Sequence, residues 1–159
     1  MLKHIPDTYE IIGKIGAGKS GDVYKAYHKN LRTYVVLKKV KTEIRNLVNN
    51  RAEVDVLKNL RHSGLPQVYD FLEVDGDVYT VMTFVEGNSF QQYLDSGREF
   101  EEKSVIIWAR QICATLCYMH EQKPPIVHGD LKPENIMLRP DGNICLIDFN
   151  ISASLDGSA

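Results

Sequence analysis

Apolar residues, many of them β-branched or aromatic, cluster in "YEIIGKI" (residues 9–15), from Val23 to Tyr27 and in the run from Tyr34 to Val40. Glycines separate the first two runs, and a polar His28-Lys29-Asn30 stretch separates the second pair. Runs rich in β-branched and aromatic residues between turn residues predict strands joined by turns, here three successive antiparallel strands. The pattern then changes. Ile44, Leu47, Val48, Val54, Leu57 and Leu60 recur at mostly helical spacing and predict a helix that carries Glu53. A second strand pair is expected around Asp75-Gly76-Asp77, and a long helix over "FEEKSVIIWARQICATLCYMHEQ" with an apolar stripe at Val105, Trp108, Ala109, Ile112, Leu116 and Met119. Two short β-like runs, "IVHGDLKPENIML" and "NICLIDFN", close the chain around the turn Pro140-Asp141-Gly142-Asn143. The expectation is an α+β chain: a five-stranded antiparallel sheet from about Tyr9 to Val85 with one helix around Glu53, then a mainly helical part.

Composition narrows the function classes. With 159 residues, 43% of them hydrophobic and 25% charged, the chain is long enough for one compact domain. A net charge of −2 gives no bulk attraction for nucleic acid or anionic membrane, so neither is expected as a partner. No run approaches the roughly 18 apolar residues of a membrane span, and "MLKHIPDTYE" lacks the apolar stretch of a secretory signal. Cys113, Cys117 and Cys145 are odd in number and form no CxxC pair, which fits a reducing, cytoplasmic setting. Cys113 and Cys117 sit four apart, yet no cluster of other ligands completes a metal site, so core packing is expected of them.

Two phosphate-binding patterns overlap in "GKIGAGKSGDV". Residues 13–20 satisfy the P-loop pattern Gly-x4-Gly-Lys-Ser, and Gly16, Gly18, Gly21 and Val23 satisfy the GxGxxGxV pattern of a glycine-rich flap. A P-loop needs a helix opening at Lys19-Ser20, because its backbone amides and the helix N-terminus cradle the phosphates together. The strand, turn, strand pattern after Ser20 leaves no such helix. Glycines at a hairpin also serve simply to permit positive φ, so the rest of the chain must decide.

"GAGKSGDV", "VVLK", "AEVDVLKNLRH", "VMTFVEG", "HGDLKPEN" and "IDFN" occur in that order, with Asn135 five residues and Asp148 eighteen residues after Asp130. In these motifs the chain resembles the eukaryotic-type Ser/Thr protein kinases, which occur in bacteria too, over nearly its whole length. The resemblance implies a two-lobed kinase-like fold, with residues 1–87 an N-lobe bearing the ATP flap and hinge and residues 88–159 the first part of a C-lobe. It implies ATP and Mg²⁺ as cofactors and a protein Ser/Thr hydroxyl as acceptor. Ile15, Gly16, Ala17, Gly18, Lys19, Ser20, Gly21 and Val23 would then form the flap. Lys38, otherwise a plain surface lysine, would pair with the α- and β-phosphates, held by Glu53, otherwise a solvated helix carboxylate. Met82 would guard the rear of the pocket, Thr83-Phe84-Val85 would form the hinge, and Met137 would form the floor. Asp130, whose plainer reading is a turn residue, would take the hydroxyl proton. Lys132 would steady the transferring phosphate and mark Ser/Thr specificity, and Asn135 and Asp148 would hold Mg²⁺ as oxygen donors.

The departures carry expectations too. His128-Gly129-Asp130 has glycine where the family usually has arginine, which removes the usual docking cation for a phosphorylated activation loop. Asp148-Phe149-Asn150 stands for Asp-Phe-Gly, and Val36 stands where alanine is favoured over the adenine. The chain stops eleven residues after Asp148, so a truncated kinase domain is expected, with doubtful transfer to protein substrates and an uncovered apolar surface at Trp108, Ile112, Leu116 and "NICLIDF". Two alternatives remain. One is a small-molecule kinase of the aminoglycoside or choline type, which also has His-Gly-Asp with Asn five residues on; the other is a non-catalytic, pseudokinase-like fragment.

Overall fold

The computed structural model describes residues 5–16, 21–40 and 51–149, without the side chains of residues 51–54. The described backbone falls into two compact units, one from the chain up to Leu60 together with Gln67–Phe84, the other from Arg61–Pro66 together with the chain from Val85 onward.

The strand-favouring runs of the first unit become β1 (Tyr9–Gly16), β2 (Val23–His28), β3 (Thr33–Lys39), β4 (Val68–Val74) and β5 (Asp77–Thr83). All pair antiparallel in the order β1-β2-β3-β5-β4, so β5 returns to pair with β3 and leaves β4 at the edge. The β4–β5 turn has φ of 52° at Asp75 and 78° at Gly76, the two positive values that a tight two-residue hairpin requires. Period-two alternation puts Tyr9, Tyr24, Ala26, Val35, Leu37, Val74, Tyr79 and Val81 into one buried cluster. Between β3 and β4 lies α1 (Arg51–Asn59). Its Lys58 bonds Asp70 of β4 at 2.7 Å, and Gln67 Nε2 donates to the Lys58 carbonyl. Leu57 and Leu60 are buried as their spacing predicts. The expected helical positions Ile44, Leu47 and Val48 lie outside the described residues.

In the second unit β6 (Asn88–Ser89) leads into α2 (Phe90–Asp95) and α3 (Glu102–His120), followed by a 3₁₀ turn (Pro133–Asn135), β7 (Ile136–Leu138) and β8 (Ile144–Leu146). Ser89 caps α2 reciprocally: its Oγ accepts from the Gln92 N–H, and Gln92 Oε1 accepts from the Ser89 N–H. The helix α3 anchors the β7–β8 turn through Trp108 Nε1 to the Gly142 carbonyl (2.9 Å) and through Gln111, which bonds Asn143 Oδ1 and the Ile144 N–H.

Burial on α3 differs from the expected stripe. Trp108, Thr115 and Met119 are buried, whereas Val105 is 47% exposed and Ala109, Cys113 and Cys117 are also exposed. The reason is which arc meets neighbours: Trp108 packs on Phe90 and Phe100, and 100° per residue turns Cys113 and Cys117 to the far side. Nor is "NICLIDF" uncovered, since Ile144, Cys145 and Leu146 are all buried.

Candidate functional site

In the first unit the strand register lines up several of the candidate residues. Gly16 pairs with Val23, Val23 with Lys38, and Lys38 with Thr80, which makes one row across β1, β2, β3 and β5. Paired residues share a face, so Val23 and Lys38 project from the side opposite the buried cluster, with Val36 and Met82 in the next row on that side. The row is fixed from within by Thr80, 2% exposed, whose Oγ1 donates to the Lys38 carbonyl at 3.3 Å. At the base of the glycine turn Lys14 and Asp22 form a 2.6 Å ion pair, joined by the Tyr24 hydroxyl. The Lys14 contact holds the Asp22 carboxyl below its ordinary range. Gly21 has φ of 94°, and a Cβ there would stand 3.1 Å from the Lys39 carbonyl oxygen, so glycine is required.

These placements decide between the overlapping patterns. β2 opens at Val23, three residues after Ser20, and runs as strand to His28. A P-loop helix has no room there. Ile15 is half-exposed at the end of β1. Ala17, Gly18, Lys19 and Ser20 lie outside the described residues, as do Asn150 and the side chain of Glu53, whose backbone is in α1. Thr83 ends β5 with its hydroxyl shared among Gln67 and Tyr69, and Val85 is buried.

The candidate residues of the second unit form a hydrogen-bonded loop. Asn135, 5% exposed, donates from Nδ2 to the Asp130 carbonyl (2.8 Å) and to Asp130 Oδ2 (3.0 Å). Both targets accept only, so the amide nitrogen must face Asp130 and the amide oxygen is turned away from it. Lys132 Nζ also reaches Asp130 Oδ2, at 3.0 Å. The lysine, then desolvation in the opposite sense, then Asn135 set the carboxyl, and the net effect holds it below the usual range; Lys132 is raised in turn by the same contact. These contacts engage Oδ2, and Oδ1 takes none of them.

One backbone bond and one side-chain bond tie this loop to the segment after β8 that carries Asp148. The Ile147 N–H donates to the Asn135 carbonyl (2.9 Å), and His128 Nε2 lies 3.0 Å from the Ile147 carbonyl oxygen. A carbonyl cannot donate, so Nε2 carries the proton and Nδ1 accepts from the Asp130 N–H (3.4 Å), the neutral tautomer. Sequence reasoning missed this bridge: nothing local in "HGD" signals a partner nineteen residues away. The glycine of that motif has a backbone reason, because Gly129 has φ of 72°. Asp148 itself sits at φ 59°. Met137 on β7 is half-buried between Ser89 and Cys145.

Residues 9–159 match the protein kinase domain family. The chain belongs to that family. Among curated relatives, cyclin-dependent kinase 1 of Encephalitozoon cuniculi is 35% identical over 152 residues, covering 91% of this chain and 50% of the relative. Serine/threonine-protein kinase 36 of Pongo abelii is 32% identical over 152 residues, 94% of this chain and 11% of the relative. Maternal embryonic leucine zipper kinase of Danio rerio is 30% identical over 159 residues, 99% of this chain and 23% of the relative. The chain thus spans half or less of the length of these relatives. The match places this kinase-family chain with the eukaryotic-type serine/threonine kinases rather than with small-molecule kinases. The five-stranded antiparallel sheet of the first unit, and the two helices and three short strands described in the second, agree with a kinase-domain fold; the mainly helical second part expected from the sequence is helical among the described residues only at α2 and α3.

Proposed function

We propose that the chain carries the catalytic machinery of an ATP-dependent Ser/Thr protein kinase, which transfers the γ-phosphate of ATP to a Ser or Thr hydroxyl of a protein substrate. The observation that carries this reading is the Asp130, Lys132 and Asn135 constellation, in which one carboxylate oxygen is held and the other is open. Asp130 Oδ1 orients the acceptor hydroxyl and receives its proton as the new O–P bond forms and the bond to the β–γ bridging oxygen breaks, releasing ADP. Lys132 swings from Oδ2 onto the oxygens of the transferring group. Lys38 pairs with the α- and β-phosphates and Glu53 holds Lys38, while residues 15–21 and Val23 cover the nucleotide. Met82 and Thr83 of the first unit, and Val85 and Met137 of the second, are each assigned to contact with the base.

Mg²⁺ fits the donor set: the Asn135 amide is locked with nitrogen toward Asp130, which presents its oxygen, and Asp148 supplies a carboxylate, both hard ligands. When bound there it neutralises phosphate charge. We assign residues 1–87 to nucleotide holding and residues 88–159 to transfer. A cytoplasmic setting is supported by three free cysteines and by the fact that no helix among the described residues is long and apolar enough to cross a membrane. With a net charge of −2, nucleic acid and membrane are left out of the partners. Calorimetric titration of ATP with and without Mg²⁺ tests the assignment. Binding should require Mg²⁺ and fall at least tenfold in Lys38→Met and Asp148→Ala, as loss of a charge-assisted contact implies; unchanged affinity in both variants would remove the ATP site.

A further inference from the structure

Lys25 in β2 occupies the sheet face of Val23 and Lys38, paired with Val36, which is paired in turn with Met82. Its ammonium lies 4.0 Å from the ring centroid of Phe84 and 4.5 Å from that of Tyr34. Among the described residues Lys25 makes no ion pair; what holds the charge is the negative faces of two rings. Tyr34 is itself braced edge-on by Tyr27 at 5.4 Å.

Phe84 is where the sheet runs out. The last β3–β5 pair is Val35 with Thr83, and the last β4–β5 pair is Val68 with Met82. Beyond them Phe84 is tied to the sheet by its N–H on the Tyr34 carbonyl, a long 3.3 Å bond, and by its ring under Lys25. A weak backbone bond reinforced by a cation between two rings extends the order of β5 by one residue. The ammonium also points away from the phosphate end, since Tyr34 stands four positions before Lys38 on β3, roughly 13 Å at strand rise.

We propose that Lys25 is a positioning residue for the nucleobase. By pinning Phe84 to Tyr34 it fixes the Thr83–Phe84 backbone on which, in the function proposed above, the adenine is read; the inference rests on that reading. The charge acts on base recognition and leaves phosphate binding alone.

The test compares wild type, Lys25→Met, which keeps the stem, and Lys25→Arg, which keeps the charge. Affinities for Mg·ATP, adenosine and Mg·tripolyphosphate are measured by calorimetry, and amide exchange at Phe84 by NMR. Lys25→Met should weaken ATP and adenosine about threefold to fivefold, the scale of a cation–π contact. Tripolyphosphate should be unaffected, the Phe84 amide should exchange faster, and Lys25→Arg should restore all three. Unchanged ATP and adenosine affinity in Lys25→Met overturns the inference alone. A parallel loss of tripolyphosphate affinity also overturns it, because the effect is then not on the base. A wild type that binds neither ATP nor adenosine overturns the proposed function, and the nucleobase role with it.

Discussion

Asp130 owes its charge state to its own loop. Because Lys132 holds the carboxyl below its ordinary value, the ionised form is favoured in the folded chain. The stabilisation from this contact is present above the ordinary aspartate value of about 3.9 and is lost as pH falls through the lower folded value. Lys132→Met should therefore move the Asp130 carboxyl titration upward, read by carboxyl-carbon NMR; an unmoved titration would show that the lysine does not set it. The thiols offer a second check at this scale. Burial pushes Cys145 up to about 11, while Cys113 and Cys117 are exposed on α3. Alkylation at pH 8 followed by mass mapping should label those two within minutes and spare Cys145 until the chain unfolds. Rapid labelling of Cys145 would contradict the packing described for β8.

Between elements, the segment Arg61–Pro66 belongs with the second unit, although the chain on either side of it belongs to the first. It is seated by the Gly64 carbonyl accepting from Leu146 N–H (2.8 Å), by His62 stacked on Tyr118, and by Arg139 on the Ser63 carbonyl. A Cβ on Gly64 would meet the Thr115 hydroxyl, which is buried and bonded to the Gln111 carbonyl at 2.9 Å. Gly64→Ala should cost about 1–3 kcal/mol, the range for overpacking, and Thr115→Ala in the same chain should recover part of it in a denaturant double-mutant cycle. Simple additivity would mean the two do not touch. This contact also marks where sequence reading stops. The five strands were legible because strand-favouring runs bounded by turn residues are local signals, and the Asp75-Gly76 turn because its chemistry is local. The two-residue β6 and the six-residue α2 have no period to read and form on tertiary partners. The α3 stripe was misread at Val105 and Ala109, and core packing was wrongly expected of Cys113 and Cys117, because periodicity gives an apolar arc without saying which part of it meets Phe90, Phe100 and the β7–β8 turn. Asp130, Lys132 and Asn135 were singled out only through the family resemblance, whereas the His128 bridge and the Lys25 stack depend on contacts that only the folded chain makes.

For the whole molecule, membership in the protein kinase family gives the order of the parts, and each unit supplies its own: the Gly16, Val23, Lys38 and Thr80 row in one, the Asp130 loop with Asp148 in the other. The central claim is that Asp130 performs phosphoryl transfer on a nucleotide that other residues hold. Its most direct measurement pairs ATP affinity with transfer of label from γ-labelled ATP to a mixed pool of Ser/Thr peptides, for wild type and Asp130→Asn. The account predicts Mg²⁺-dependent transfer by wild type, ATP affinity in Asp130→Asn within about twofold, and transfer reduced on the order of 10²–10⁴-fold, the usual contribution of a positioned general base. Transfer by Asp130→Asn at the wild-type rate, or a wild type that binds Mg·ATP and transfers nothing to any hydroxyl, would contradict it.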